Sequence, residues 1–187
     1  MANFLLTARE PFDIFLHGLK FQKSSEILSN SLLPKDGDIV DDQKVSIVAH
    51  PAMILSAFAS ELYLKCLICV ETGVVPKGHN LDKLFHQLRV ETRRELDDLW
   101  DTEIRLPLKQ RVIEKLRGTP RGRNLKIDLR YMLKLRAEGF IKLRYHYEHS
   151  ESDSFLVDLP KVLRVAILRR FPSWAAELPK PSIGILN

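Results

Sequence analysis

Along almost the whole chain, apolar positions recur at helical rather than alternating intervals. Phe12, Phe15, Leu16, Leu19, then Ile27, Leu28 and Leu32 give a helical spacing near residues 10–32. Pro34 to Lys44 then brings four aspartates and reads as an exposed acidic loop without the glycine and ligand spacing of a calcium site. A long helix is expected to begin near Pro51, a residue suited to the first helical turn, and to stop at Gly73. Its apolar residues (Met53, Ile54, Leu55, Phe58, Leu62, Leu64, Leu67, Ile68, Val70) run nearly all round it, which predicts the central core helix. Asn80 suits the N-cap of a helix over Leu81 to Leu88. One or two charged amphipathic helices are expected over 90–116, another over 125–138 with a break at Gly139, and a further element from Phe140. A last helix, Phe155 to Phe171, should end at Pro172, with the three prolines of 172–187 holding that tail extended. The pattern predicts an all-α helical bundle: one domain over 1–171, then a Pro-containing C-terminal tail over 172–187.

Composition narrows the class. The 187 residues, 45% hydrophobic and 28% charged, suit one ordinary globular domain. No apolar run is expected to reach the roughly 18–20 residues that span a bilayer. The first residues lack the charged start and long apolar stretch of a signal peptide. Cys66 and Cys69, the two cysteines, form no disulfide framework. They lie within a helix, with no second pair for zinc and no preceding strand for a thioredoxin-like site, so apolar packing is their expected role. A cytoplasmic protein with no membrane contact and no bound metal is the expectation.

Charge adds a second feature. Residues 105–136 hold eleven Lys or Arg against Glu114 and Asp128, a local charge of +9 that leaves −4 for the rest of a +5 chain. Such a tract attracts polyanions through counterion release. It centres on the turn Arg117-Gly-Thr-Pro-Arg-Gly-Arg123, so Arg117, Arg121, Arg123 and Lys126 are the candidate nucleic-acid contacts. The alternative is a solvated helix pair whose long side chains cover apolar surface.

Two segments carry candidate chemistry. Glu61 and Lys65 stand four apart in the core helix, with no other Asp, Glu, Lys or Arg between Val45 and Val70. They read either as an i,i+4 pair on the helix's one wet stripe or as a charge at the base of a cleft, Glu61 orienting a cation from another helix. The second segment, Arg144-Tyr-His-Tyr-Glu-His149, puts a phosphate binder beside acid/base groups. On a regular helix Arg144 faces Glu148 and Tyr145 faces His149, while Arg144 and His149 diverge by about 140°. For those two to share a site, the helix must start irregularly or a second copy must supply the partner. His79 reads as a ligand or a base, or, as the better reading, a polar residue holding the turn before Asn80; His17, His50 and His86 are assigned no role.

The run Ala57-Phe-Ala-Ser-Glu-Leu-Tyr-Leu-Lys65, then Gly73, His79-Asn80-Leu81 and Leu84-Phe85, resembles the second helix and following turn of the HEPN superfamily. Phe140 to His149 resembles that family's later motif, an arginine followed four to six residues on by a histidine. The resemblance spans about residues 10–170. It implies a HEPN-like bundle that dimerises so that two motifs line one cleft. It implies further a toxin-like or defence-related endoribonuclease that needs neither metal nor cofactor. There the RNA 2′-hydroxyl attacks its own phosphodiester. His149 would move the proton, Arg144 would hold the phosphate, His146 or Tyr147 would assist, and Glu61 would position Arg144, with Lys65 and Glu148 in support. Relatives sharing the Arg-Tyr-x-Tyr-Glu form imply an alternative: a non-catalytic dimeric module binding RNA, a nucleotide or a nucleotidyltransferase antitoxin, in which Arg144, Glu148 and Glu61 form a buried network.

Overall fold

The computed structural model describes residues 10–32, 42–119, 123, 126–135, 137 and 158–176. They form eight helices: α1 (Glu10–Asn30), α2 (Asp42–Thr72), α3 (Leu81–Gln87), α4 (Val90–Ile104), α5 (Pro107–Arg117), α6 (Leu129–Leu135), α7 (Leu159–Arg170) and α8 (Pro172–Ala176). No strand occurs among the described residues, so the chain is all-α.

α1 and α2 form an antiparallel hairpin, held at successive levels by polar contacts. Ser25 Oγ donates to the Ala52 carbonyl at 2.7 Å, the Tyr63 hydroxyl to Gln22 Oε1 at 2.8 Å, and Cys66 Sγ to the Pro11 carbonyl at 3.2 Å. Gly18 lets the Tyr63 ring pass: a Cβ there would stand 2.7 Å from Tyr63 Cε1.

α2 begins earlier than its proline suggests. Asp42 opens it, so Asp42 to Lys44 belong to the helix rather than to an acidic loop, and Pro51 is internal. An internal proline forfeits one backbone bond and crowds the carbonyl four residues back. Pro51 and Ile47 both lie on the exposed side, where water can satisfy that carbonyl. At the other end the sequence reading holds. The N–H of Gly73 donates to the Cys69 carbonyl at 2.8 Å, and its φ of 73° turns the chain out of the helix.

The apolar residues of α2 after Ala57 form the centre of the core. Tyr63, Leu64, Leu67 and Ile68 share one buried cluster with Leu84 and Phe85 of α3, Leu96 and Trp100 of α4, Met132 and Leu133 of α6, and Leu163, Ala166 and Ile167 of α7. The buried Trp100 indole N–H is satisfied by the Ile127 carbonyl at 2.7 Å. Ile47–Thr72, with a mean hydropathy of 1.7, is long and apolar enough to cross a membrane, contrary to expectation. A window average tolerates Glu61 and Lys65 where a count of unbroken apolar residues does not. Most of that window is buried in the bundle, and a core helix meets the same criterion.

The chain after α7 also departs from expectation. Pro172 stops α7, yet it starts a new helical turn, so residues 172–176 are helical rather than extended. Trp174 thereby folds back, stacking on Phe171 with ring centres 4.3 Å apart and meeting Phe12 at 5.2 Å and Phe15 at 5.5 Å.

Candidate functional site

The site starts from the one carboxylate within the apolar stretch of α2. Glu61 lies one helical turn before Lys65, and the Lys65 ammonium sits 2.9 Å from Glu61 Oε1. This pair is not a wet stripe: the Glu61 side chain is 5% exposed and that of Lys65 14%. Gly73 and Gly78, both with positive φ, reverse the chain after α2. The return carries His79 back about 16 Å along the helix, eleven residues at 1.5 Å each, to the level of Glu61. There His79 Nδ1 lies 2.9 Å from the same Glu61 oxygen. The next residue caps α3 as expected, the Asn80 side chain accepting from the Lys83 N–H at 2.9 Å. Glu61 Oε2 is buried and has no hydrogen-bond donor among the described residues.

Glu61 thus meets a second group, His79 of the return loop, whereas the cleft reading expects a cation from another helix. Arg144, Tyr145, His146, Tyr147, Glu148 and His149 all lie outside the described residues, as does Arg121. The described chain stops short of that segment at Ala137, whose carbonyl accepts from the Leu81 N–H at 3.0 Å, two residues from His79. It resumes at Asp158, which pairs with Lys109.

The basic tract divides into paired and unpaired cations. Arg130 makes two bonds to Asp97, at 2.8 and 3.2 Å, which hold its guanidinium still more firmly protonated. Lys109 meets Asp158, and Arg105 lies 3.7 Å from Asp101. Arg111, Lys115, Arg117, Arg123, Lys126 and Lys134 are exposed and have no acidic partner among the described residues. Lys126 instead stands over the Tyr131 ring at 5.7 Å. Of the four candidate contacts, Arg117, Arg123 and Lys126 are on the surface.

No family model, curated protein or solved structure matches this chain.

The chemistry of the described site follows from its donors. An ionised carboxylate only accepts, so the Glu61 contact requires the proton on His79 Nδ1, and the lone pair of a neutral ring is then on Nε2. The cysteines offer no such chemistry. Burial, with Cys69 nearby, pushes the Cys66 thiol up to about 12, and burial with Glu10 nearby raises Cys69 as well. Among the described residues no three His, Cys, Asp or Glu side chains gather as a metal site.

Sequence reasoning offers His79 as a ligand or a base but does not join it to Glu61, the only signal being the Gly-containing return after the helix. It misses altogether a part-buried ionic node. Glu71, 6% exposed, accepts from the Arg89 N–H at 2.8 Å and from Thr92 Oγ1. Arg170 joins it, donating to Thr92 Oγ1 at 2.6 Å and Glu95 Oε2 at 2.9 Å, and so ties α2, α4 and α7 together.

Proposed function

We propose that this chain is a HEPN-like RNA-binding protein that acts, as a two-fold dimer, as a metal-independent endoribonuclease of toxin-like character. The observation that carries the reading is the exposed cation set Arg111, Lys115, Arg117, Arg123, Lys126 and Lys134, which has no acidic partner among the described residues. On α5, on the approach to α6 and on α6 itself, those charges are available to a phosphate backbone. In this reading Arg144 binds the scissile phosphate and His149 moves the proton, with His146 and Tyr147 assisting. Chain connectivity is compatible with it. The described chain reaches Ala137, bonded to Leu81 two residues from His79, seven residues before Arg144 in the sequence. The buried Oε2 of Glu61 is a suitable acceptor for such a guanidinium.

One observation favours a second reading, a non-catalytic module that binds RNA, a nucleotide or a nucleotidyltransferase partner. Glu61 already holds two local groups, Lys65 and His79, and so serves the bundle without Arg144.

The test is RNA incubation in EDTA, wild type beside His149→Ala, with binding measured across salt. The enzyme reading expects cleavage by wild type alone. The enzyme reading, and the module reading where its ligand is RNA, expect log affinity to fall linearly with log salt, by about 0.7 per single-strand phosphate contact, and a shallower slope in Arg117→Gln/Arg123→Gln. A salt-independent affinity would leave the basic tract as a solvated surface. Binding without cleavage selects the module.

A further inference from the structure

Tyr131 is the one exposed Phe, Tyr or Trp residue among the described residues, and it lies inside the basic tract. The helix beneath it is fixed. Leu129, Met132 and Leu133 of α6 are buried in the core, and the Trp100 indole donates to the Ile127 carbonyl at 2.7 Å just before the helix starts. Asp128 Oδ1 accepts from the Tyr131 N–H at 2.8 Å, and Arg130 is tied to Asp97, so both of these acids are engaged. Tyr131 nevertheless keeps 39% of its surface in water. Lys126 Nζ stands over the ring, 5.7 Å from its centre, and Lys134 follows three residues on, a neighbour of Tyr131 on the helix surface. A lone exposed tyrosine calls for no explanation by itself. A flat ring on a fixed backbone, beside two exposed lysines with no acidic partner among the described residues, presents two chemistries together: a face for stacking and cations for phosphate.

We infer that Tyr131 is a stacking platform for an unpaired nucleobase, with Lys126 and Lys134 taking the flanking phosphates. The inference rests on the RNA-binding reading above and adds to it what the bound strand must offer at this point. Phosphate contacts by themselves carry no demand for an unpaired base, since duplex and single strand both expose their backbones. Stacking does carry that demand. Inside a duplex each base face is covered by its neighbours, whereas an unpaired base has a face to lay on an aromatic ring, whatever its sequence. Covering a tyrosine costs little freedom, because the ring turns about only two side-chain bonds and α6 already holds the backbone. A cation–π contact at an exposed site is weak. An incoming base therefore displaces the Lys126 ammonium from the ring face to its own phosphate, where the charge is better matched.

The test uses the full chain and a single-stranded 2′-O-methyl RNA of about twelve nucleotides, which cannot be cut by attack of its own 2′-oxygen. Two controls of the same length are its duplex and a base-free sugar-phosphate strand. Tyr131→Ala should weaken binding to the base-bearing strand about 5- to 100-fold, with the slope of log affinity against log salt unchanged. Its binding to the base-free strand and to the duplex should stay within about twofold of wild type. Tyr131→Phe keeps the ring and should bind within about threefold of wild type. Tyr131→Leu keeps apolar bulk without a flat face and should bind like Tyr131→Ala. Lys126→Gln should instead make the salt slope shallower by about 0.7. A Tyr131→Leu protein that binds the base-bearing strand within about twofold of wild type overturns the inference, whatever Tyr131→Ala does, and leaves the RNA-binding reading standing. A loss of the same size on the base-free strand or on the duplex makes the ring a support for phosphate contacts and also overturns the inference. A wild type that binds none of the three probes, or binds them without regard to salt, overturns the RNA-binding reading itself, and the wild-type titration alone shows that outcome.

Discussion

Replacing Lys65 by Met and Glu61 by Leu, singly and together, separates what the buried pair does for folding from what it does for chemistry. Lys65→Met leaves the Glu61 carboxylate buried with His79 as its partner. Stranding one member of a buried pair costs about 3–5 kcal/mol, and the surviving histidine bond reduces that to about 2–4 kcal/mol. Glu61→Leu should be milder, at about 1 kcal/mol. The Lys65 ammonium is the more exposed end of the pair, and its methylene stem lets it reach water. That substitution also removes Glu61 Oε2, a buried oxygen with no donor among the described residues. The double variant replaces an ion pair with apolar groups of similar length, which is about neutral or stabilising by up to a few kcal/mol. The singles therefore should not add. Urea unfolding at neutral pH, with an unchanged m-value, reads each cost, and in a chain of this length about 1 kcal/mol moves the melting temperature by about 2–4 °C. Equal costs for the two singles, or a double variant costing their sum, would refute the reasoning.

Other expectations follow from the packing. Gly18→Ala gains about 1 kcal/mol of helix propensity but drives a methyl to 2.7 Å from the Tyr63 ring. It should destabilise by about 1–3 kcal/mol on thermal melting and become neutral or better in a Tyr63→Leu background. Cys66, held up to about 12 from an ordinary 9.0, stays neutral in the fold where the unfolded chain ionises. Its contribution is thus complete below pH 9 and is lost as pH rises toward 12, by about 1.4 kcal/mol per unit, with the raised Tyr63 phenol adding above pH 10. Urea midpoints that stay level from pH 8 to 11 would contradict that burial. Trp174→Ala should cost about 2–3 kcal/mol in the same assay, because three aromatic partners lose a face.

Where a signal was local, the sequence carried it. The α2 stop at Gly73, the Asn80 cap and the buried side of the last core helix depend on neighbours within a turn or two, and each stands where the pattern puts it, whereas α1 buries Gln22 and Ser25 and leaves Ile27 70% exposed. The errors came where a local preference met a tertiary one. Pro51 prefers a first helical turn, but α2 runs through it from Asp42, with the adjacent Ala52 carbonyl bonded to Ser25 of α1. Pro172 does break a helix, but the indole two residues later has an aromatic seat on α1, and that contact holds residues 172–176 in a turn. The membrane-length window in α2 was hidden by the two charges that make the site.

Those charges are where sequence reading stopped short for a physical reason. Spacing alone makes Glu61 and Lys65 neighbours, whereas burial depends on what the other helices cover, and His79 arrives from eighteen residues away through two glycine turns. An apolar Leu and Met would fill the same helix positions without the desolvation cost, so the pair's presence in the core calls for a reason beyond folding. The double variant distinguishes two such reasons. If it folds as stably as wild type and loses RNA cleavage, the pair is there for the chemistry rather than for folding. If it folds as stably, stays dimeric and still cuts, a role for Glu61 in cleavage fails and the pair serves only to fix how α2 and the returning loop register. If it folds with lower stability and a broadened transition, the pair specifies the packing itself.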